Sequence, residues 1–448
     1  MSNAVEQREN WGSRFGFIMA AAGSAVGLGN IWKFPYLAGA NGGAAFVVIY
    51  LAIVLAIGVS VMLAEFTIGR ASGLNAVGAF KKLAGGAWPL VGWLGVLAGF
   101  LILSFYAVVA GWTIKYMIIS FTGLMETAKA GQAGAAFGAF LNASTEQVIY
   151  QVLFMVATIV IVHQGIGGGI EKACKVMMPA LFVILLVLIV RANTLEGAGK
   201  GLEFYLMPDF SKVTGGTFLA ALGQAFFSLS LGMGCMITYG SYLSKSESLP
   251  FCAVVVPLID TAVAFLAGLA IFPAVFAFGM EPGAGPGLTF VTLPAVFAQM
   301  PMGEIFSCLF FLLLFFAAIT SSISLLEVCV AYFKDEMGWS RPMASWVLGG
   351  AITLLGIPCA LSLAEGTPWM IAGKSFFDSV DFLSSNVCLP LGGIFIALFV
   401  GWFWLEPARK EATNNGKIPF SWEPLWIWSC RLVAPLAIAY IFVSGLKW

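Results

Sequence analysis

The chain has 448 residues, is 60% hydrophobic and only 10% charged, and carries no net charge; its mean hydropathy is +0.95. Soluble domains carry roughly a quarter charged residues, so that class is excluded and the chain must lie mostly in a lipid bilayer. The neutral balance offers nothing to nucleic acid, and eight cysteines without a CxxC pair read as small buried hydrophobes, not disulfides or metal ligands.

The polar start, MSNAVEQREN, lacks the charged region, short apolar core and cleavage site of a signal peptide. A spanning helix needs about 20 mainly apolar residues. Eleven such segments follow, near 15–40, 43–69, 88–121, 147–164, 173–192, 216–243, 252–279, 303–333, 342–361, 380–404 and 424–446. Lipid satisfies no open backbone, so the predicted fold class is an all-α membrane protein, a bundle of eleven transmembrane helices.

Segment one contains GSAVGLGNIWKFPYLAGANGG, with Gly23, Gly27, Gly29, Asn30 and Lys33 inside an apolar run. Small-xxx-small packing against a neighbouring helix accounts for Gly23 and Gly27 equally well. It does not account for an amide and a cation at depth, which are usually turned inward and functional. A local unwinding accounts for both, because it frees carbonyls for a cation and N–H groups for an anion. Segment four ends at the lone His163, with no Cys, Asp or Glu constellation around it, which leaves a membrane enzyme without a catalytic centre. Segment five opens with glycines and contains Pro179 ten residues after Gly169. That spacing suits either a start that can unwind and admit water or a static proline kink.

Segment six repeats the interruption in AFFSLSLGMGCMITYGSY. Segments one and six each begin a run of five helices, the pattern of an inverted five-plus-five repeat. The chain then reads as one transporter domain over 1–448. Its first repeat spans about 11–192, its second about 216–404, and an extra helix about 424–446. Segment seven carries Asp260 in VVVPLIDTAVAFLAG, a carboxylate that at depth must protonate or find a positive partner; a sodium ion would serve. Segment eight carries Thr320, Ser321 and Ser322. Such hydroxyls often bond to the preceding turn, but hard cations also take neutral oxygens.

Basic residues set the orientation. With the N-terminus in the cytoplasm, the inner segments hold Arg8, Arg14, Arg70, Lys81, Lys82, Lys245, Lys334, Arg341 and others, more than the outer ones. The C-terminus of an eleven-helix chain then falls outside. The long connections 193–215, 280–302 and 362–379 also fall outside, where they could cover a vestibule.

These residues resemble a known family. NWGSRFGFIMAAAGSAVGLGNIWKFPY, GQAFFSLSLGMGCMITYGSY, FFAAITSS and AEFTIGR are similar to the motifs of the neurotransmitter:sodium symporters, in particular their bacterial amino-acid transporters. The similarity runs in order from Arg8 to segment ten.

The resemblance implies two sodium ions as cofactors. The first site would use Ala25, Asn30, Ser228 and Asp260, together with the substrate's own carboxylate. The second would use Gly23, Val26, Ala317, Thr320 and Ser321. The substrate carboxylate would meet the N–H groups of Leu28 and Gly29 and the Tyr106 hydroxyl. The ammonium would meet Ser230 and freed carbonyls at Ala25, Phe227 and Ser228. Ser24, Ile102, Phe227, Met233, Ser321 and Leu325 would complete the pocket.

An outer gate would pair Lys33 with Asp381, with Asp378 as the competing partner, and an inner gate would use Arg8 and Asp335 beside Trp11 and Tyr242. Gly27 stands where monoamine carriers place an aspartate, which favours an α-amino acid. Met233 and the small Ser24 favour a large apolar or aromatic side chain. The chloride shell of animal members maps to Tyr50, Gln224, Ser228, Asp260 and Ala264. Asp260 there supplies a fixed negative charge, so no chloride is expected and Asp260 could carry a proton on the empty return.

The expectation is therefore sodium symport of hydrophobic or aromatic L-amino acids at the cell membrane by alternating access. The partners would be the substrate and the bilayer, with no nucleic acid; the oligomeric state stays open. A carrier of another amino acid or an osmolyte is the near alternative. An ion channel, which would need a continuous polar stripe, is the distant one.

Overall fold

The structure, a computed structural model, describes residues 9–280, 285 and 287–446. Among them, nine helices are long and apolar enough to cross a membrane, or ten if one bent pair counts as a single span. The bent pair is helix one, Arg14–Ala25 and Gly29–Ala40, which turns by 53°. Helices two to five are Ala44–Ser72, Pro89–Ile119, Ser144–His163 and Ile166–Asn193. Helices seven to eleven are Leu249–Ala277, Gly303–Met337, Arg341–Leu361, Phe376–Phe403 and Glu423–Gly445.

Helix six, expected near 216–243 with an interruption at mid-span, is broken there. It forms Gly215–Ser228 and Cys235–Gly240, separated by six non-helical residues. Three residues of that stretch take positive φ: Ser230 at 54°, Gly232 at 80° and Gly234 at 76°. Glycine takes such angles without a Cβ penalty; Ser230 is held there by its hydroxyl, which donates to the Ser24 carbonyl at 2.8 Å. The chain ends of helix one are likewise fixed by a side chain, because Asn30 Oδ1 accepts the Gly27 N–H at 3.0 Å.

Helices three and eight form the centre. In each, 78% of the most apolar window is buried, against 28% for helix eleven. Glycine lets the broken helices approach this centre. A Cβ on Gly69 of helix two would stand 2.0 Å from the Ile237 carbonyl, and one on Gly95 of helix three 3.1 Å from the Gly234 nitrogen. Helix five is continuous, with a π turn at Ile166–Glu171 and Pro179 inside it.

The connections are more ordered than their polar composition predicts. Short helices lie at Leu124–Lys129, Ala133–Asn142, Ala198–Leu206 and Leu288–Ala298, and a two-stranded hairpin pairs Met370 and Ile371 with Ser375 and Lys374. All eight cysteines are free thiols, seven of them buried.

Candidate functional site

The two breaks face each other across helix eight and enclose a cavity of about 30 Å³. Ser24, Ala25, Gly27, Leu28 and Gly29 line it from helix one, and Ile102 and Tyr106 from helix three. Phe227, Ser228, Ser230 and Met233 line it from helix six, and Ser321 and Leu325 from helix eight. The twelve residues expected to hold a substrate thus meet in one place, with Gly27 added.

Two buried hydrogen bonds border the cavity. Leu28 N–H donates to the Tyr106 hydroxyl at 3.2 Å, and Ser24 donates to Ser324 at 2.7 Å. A Cβ at Gly27 would stand 2.7 Å from Ser321 Oγ and 3.0 Å from Tyr106 OH. Glycine there keeps free the space in front of the donors at the start of helix one's second half.

Two oxygen clusters flank the cavity. On one side the buried Asp260 carboxylate accepts from Asn30 Nδ2 at 2.7 Å, from the Ser228 hydroxyl at 3.0 and 3.1 Å and from Tyr50 at 3.4 Å. Gln224 donates to the Gly29 carbonyl at 2.8 Å, and its own side-chain oxygen finds no partner among the described residues. Ala264 is buried on the same helix as Asp260.

On the other side Ser321 Oγ lies 3.2 Å from the Val26 carbonyl and 3.4 Å from that of Gly23. Thr320 lies beside them, donating to Ala317 at 3.1 Å and Phe316 at 2.9 Å. Gly23 permits this approach, since its Cβ would stand 3.1 Å from that of Thr320. The first cluster joins the Asp260 carboxylate to amide and hydroxyl oxygens and the second joins carbonyls to hydroxyls, donor sets that suit a hard cation. Among the described residues no group of three or more His, Cys, Asp or Glu forms a transition-metal site.

Above the cavity lies a larger one of about 380 Å³, lined by Trp32, Lys33, Tyr36, Asp378 and Asp381 among others. Leu28, Gly29, Tyr106 and Phe227 line both spaces. The expected Lys33–Asp381 ion pair is not closed. No carboxylate among the described residues lies within 4 Å of the Lys33 ammonium, which sits 4.6 Å over the Phe227 ring. Asp381 accepts instead from Ser385 at 2.7 Å, and Asp378 from Ser375 at 2.7 Å. Lysine has no planar fork with which to reach both a ring and a distant carboxylate.

At the opposite end, Arg8 lies outside the described residues. Asp335 accepts from the Asn75 backbone N–H at 2.9 Å. A neighbouring cluster was not foreseen. Buried Arg341 holds buried Glu327 through two bonds of 2.6 and 3.0 Å, Tyr242 donates to Glu327 at 2.7 Å, and Glu9 binds Arg341 at 2.9 Å and Lys334 at 3.1 Å. The one sequence signal was Glu327, a charge within an apolar run. Trp11 donates to the Tyr239 carbonyl at 3.0 Å, closing the same end.

Burial opposes the Glu9 charge, but Arg341, the Ile166 N–H and Lys334 together hold this carboxyl below its ordinary value. A carboxylate depressed in the folded state stabilises the fold above the unfolded value of about 4.3. It loses that contribution as pH falls through the lower, folded value. Thermal unfolding followed between pH 5.5 and pH 2.5 should therefore fall more steeply for the natural chain than for Glu9→Gln; parallel curves would show that this clamp adds nothing.

The chain matches the Sodium:neurotransmitter symporter family over residues 8–133 and 141–447. It is 43% identical to an uncharacterized sodium-dependent transporter of Bacillus subtilis, over 97% of each chain. It is 28% identical to the creatine transporter of Torpedo marmorata, over 98% of this chain and 79% of that one. Among solved structures it is similar to MhsT in complex with L-phenylalanine. The TM-score is 0.89 and the identity 51%, over 98% of this chain and all of the other.

Proposed function

We propose that this chain, which belongs to the sodium:neurotransmitter symporter family, takes up hydrophobic or aromatic L-amino acids together with sodium. Membership makes it a sodium-dependent membrane transporter and not an enzyme; the substrate and the ion sites are our reading. The observation that carries that reading is the joint closure of one small cavity by both helix breaks, with an oxygen cluster on each flank.

The N–H groups of Leu28 and Gly29 with the Tyr106 hydroxyl suit a carboxylate, and carbonyls at the helix breaks with Ser230 suit an ammonium. A zwitterion satisfies both at once. Sodium in the Ala25, Asn30, Ser228 and Asp260 cluster would share the substrate carboxylate, which couples ion to substrate. A second ion among Gly23, Val26, Ala317, Thr320 and Ser321 would fasten helix one to helix eight. Each charge moved inward down 100 mV adds about 2.3 kcal/mol of drive.

The bound L-phenylalanine of MhsT supports a large apolar side chain here. Met233, flexible and set between Gly232 and Gly234, can yield to such a side chain. Asp260 supplies the negative charge beside the first ion, which supports transport without chloride and a proton on the return.

The broken helix six counts as a spanning element in this reading, giving eleven helices as two inverted repeats plus helix eleven. Helices one, two, six and seven rock against three, four, eight and nine. The N-terminus lies in the cytoplasm, the C-terminus outside, and the protein resides in the cell membrane. Lys33 and Asp381 face the outer vestibule, and unwinding after Gly169 would open the inner side.

Binding of labelled L-phenylalanine to the purified protein tests this directly. It should be saturable in sodium and fall at least about a hundredfold in affinity when choline replaces sodium, the size of a strong coupling between sites. It should persist when gluconate replaces chloride. Equal binding in sodium and choline would overturn the coupling, and loss in gluconate would overturn the role given to Asp260.

A further inference from the structure

Helix three begins PLVGWLGVLAGF. Leu90, Trp93, Leu94, Leu97 and Phe100 fall on one face of it, and with Cys329 and Phe333 of helix eight and Leu348 of helix nine they line an open groove of about 420 Å³. We propose that this groove holds one acyl chain of an anionic phospholipid, with the headgroup at Lys81 and Lys82. The proposal rests only on helices three, eight and nine crossing a bilayer, and is independent of the sodium and substrate sites.

Dimensions support an acyl chain. The ten steps from Leu90 to Phe100 rise about 15 Å at 1.5 Å each, which equals half of a hydrocarbon core about 30 Å thick. The volume admits more than a dozen groups of roughly 30 Å³, the share of a liquid water. The walls are apolar; the single thiol, Cys329, donates to the Val96 carbonyl at 3.7 Å and is already engaged.

One end of the groove has the chemistry of a membrane interface. The Trp93 and Tyr332 rings lie 4.4 Å apart and those of Phe333 and Trp339 4.7 Å apart, and Trp and Tyr concentrate at headgroup depth. Glu336, one turn beyond Phe333, binds Lys81 at 3.0 Å. Lys82 donates to the Ser72 carbonyl at 2.8 Å, and no carboxylate among the described residues neutralises it. Helix three starts at Pro89, so its positive dipole end adds to the same region. With Lys81 balanced by Glu336, Lys82 and the start of helix three leave a net positive charge at this end of an acyl-sized groove, complementary to a phosphodiester whose acyl chain fills it.

Native mass spectrometry of the full chain, released from detergent containing equimolar phosphatidylglycerol and phosphatidylcholine, tests this. The natural chain should keep phosphatidylglycerol in preference to phosphatidylcholine by about fivefold or more, the effect of one lysine near an anionic headgroup. Lys81→Ala with Lys82→Ala should abolish the preference while leaving thermal unfolding unchanged. Leu97→Trp, which fills the groove, should lower retention of both lipids about tenfold, as losing two methylenes of contact does. Equal retention of the two lipids by the natural chain would overturn the proposal. So would a lipid-free dimer that Leu97→Trp dissociates, since a second copy would then be the occupant.

Discussion

Asn30→Ala should weaken sodium-dependent substrate binding, lowering apparent affinity about ten- to a hundredfold. The amide spans the break in helix one. Its oxygen accepts the Gly27 N–H at 3.0 Å, and its nitrogen donates to the Asp260 carboxylate at 2.7 Å and to the Asp260 carbonyl at 3.0 Å. Alanine removes the closest donor to a fully buried carboxylate. A hydrogen bond to a charged group contributes about 1.5–3 kcal/mol, and each 1.4 kcal/mol is tenfold in affinity. The Gly27 N–H loses its acceptor as well, so the first turn after the break would no longer be held in register for the substrate. Equilibrium binding at saturating sodium measures this. Affinity within threefold of the natural chain would remove Asn30 from the site.

Gly232→Ala should destabilise the fold by roughly 2–4 kcal/mol and abolish substrate binding, the sum of a left-handed alanine and a backbone collision. At φ 80° a side chain is already strained. The new Cβ would also stand 2.4 Å from the Leu389 carbonyl and 3.0 Å from the Gly393 nitrogen. Both atoms are backbone, so neither can swing aside. The contact is reciprocal, since a Cβ on Gly392 would stand 2.2 Å from the Gly232 carbonyl. Helices six and ten therefore meet glycine to glycine, one residue from Met233 in the cavity wall. Gly86→Ala separates the two causes: its φ is 59° and nothing lies within 4 Å of its Cβ. If thermal unfolding drops equally for both variants, conformational strain alone is responsible and the close approach contributes nothing.

Much of this architecture is legible in the residues because the bilayer constrains them so strongly. Long apolar runs announced the spans to within a few residues, as at Gly303–Met337 and Arg341–Leu361. The two breaks announced themselves through Gly23, Gly27, Asn30 and the LGMG stretch, where helix-weakening and polar residues stand at depth. Short amphipathic pieces such as Ala133–Asn142 stayed hidden, because ten residues contain fewer than three turns of period.

Pairings across the bundle were also beyond reach. Nothing local says that Ser24 meets Ser324, that Arg341 turns back onto Glu327, or that Lys33 lies over Phe227 and leaves Asp381 to Ser385. Each depends on where two distant helices happen to lie, which composition and periodicity do not encode.

Phe227, with Leu28, Gly29 and Tyr106, borders both the small cavity and the larger one above it. The two ends of the cavity would then open on different clocks. Toward Lys33, a passage that needed only the Phe227 ring to turn would be a picosecond-to-nanosecond event for an unobstructed rotamer. Toward Glu9, passage would require breaking the Arg341–Glu327 bonds and displacing Trp11 from Tyr239, a collective motion of microseconds to milliseconds. A bound molecule would sample the first exit many times before the second became available once. Directional passage would then depend on how long occupancy kept that ring in place.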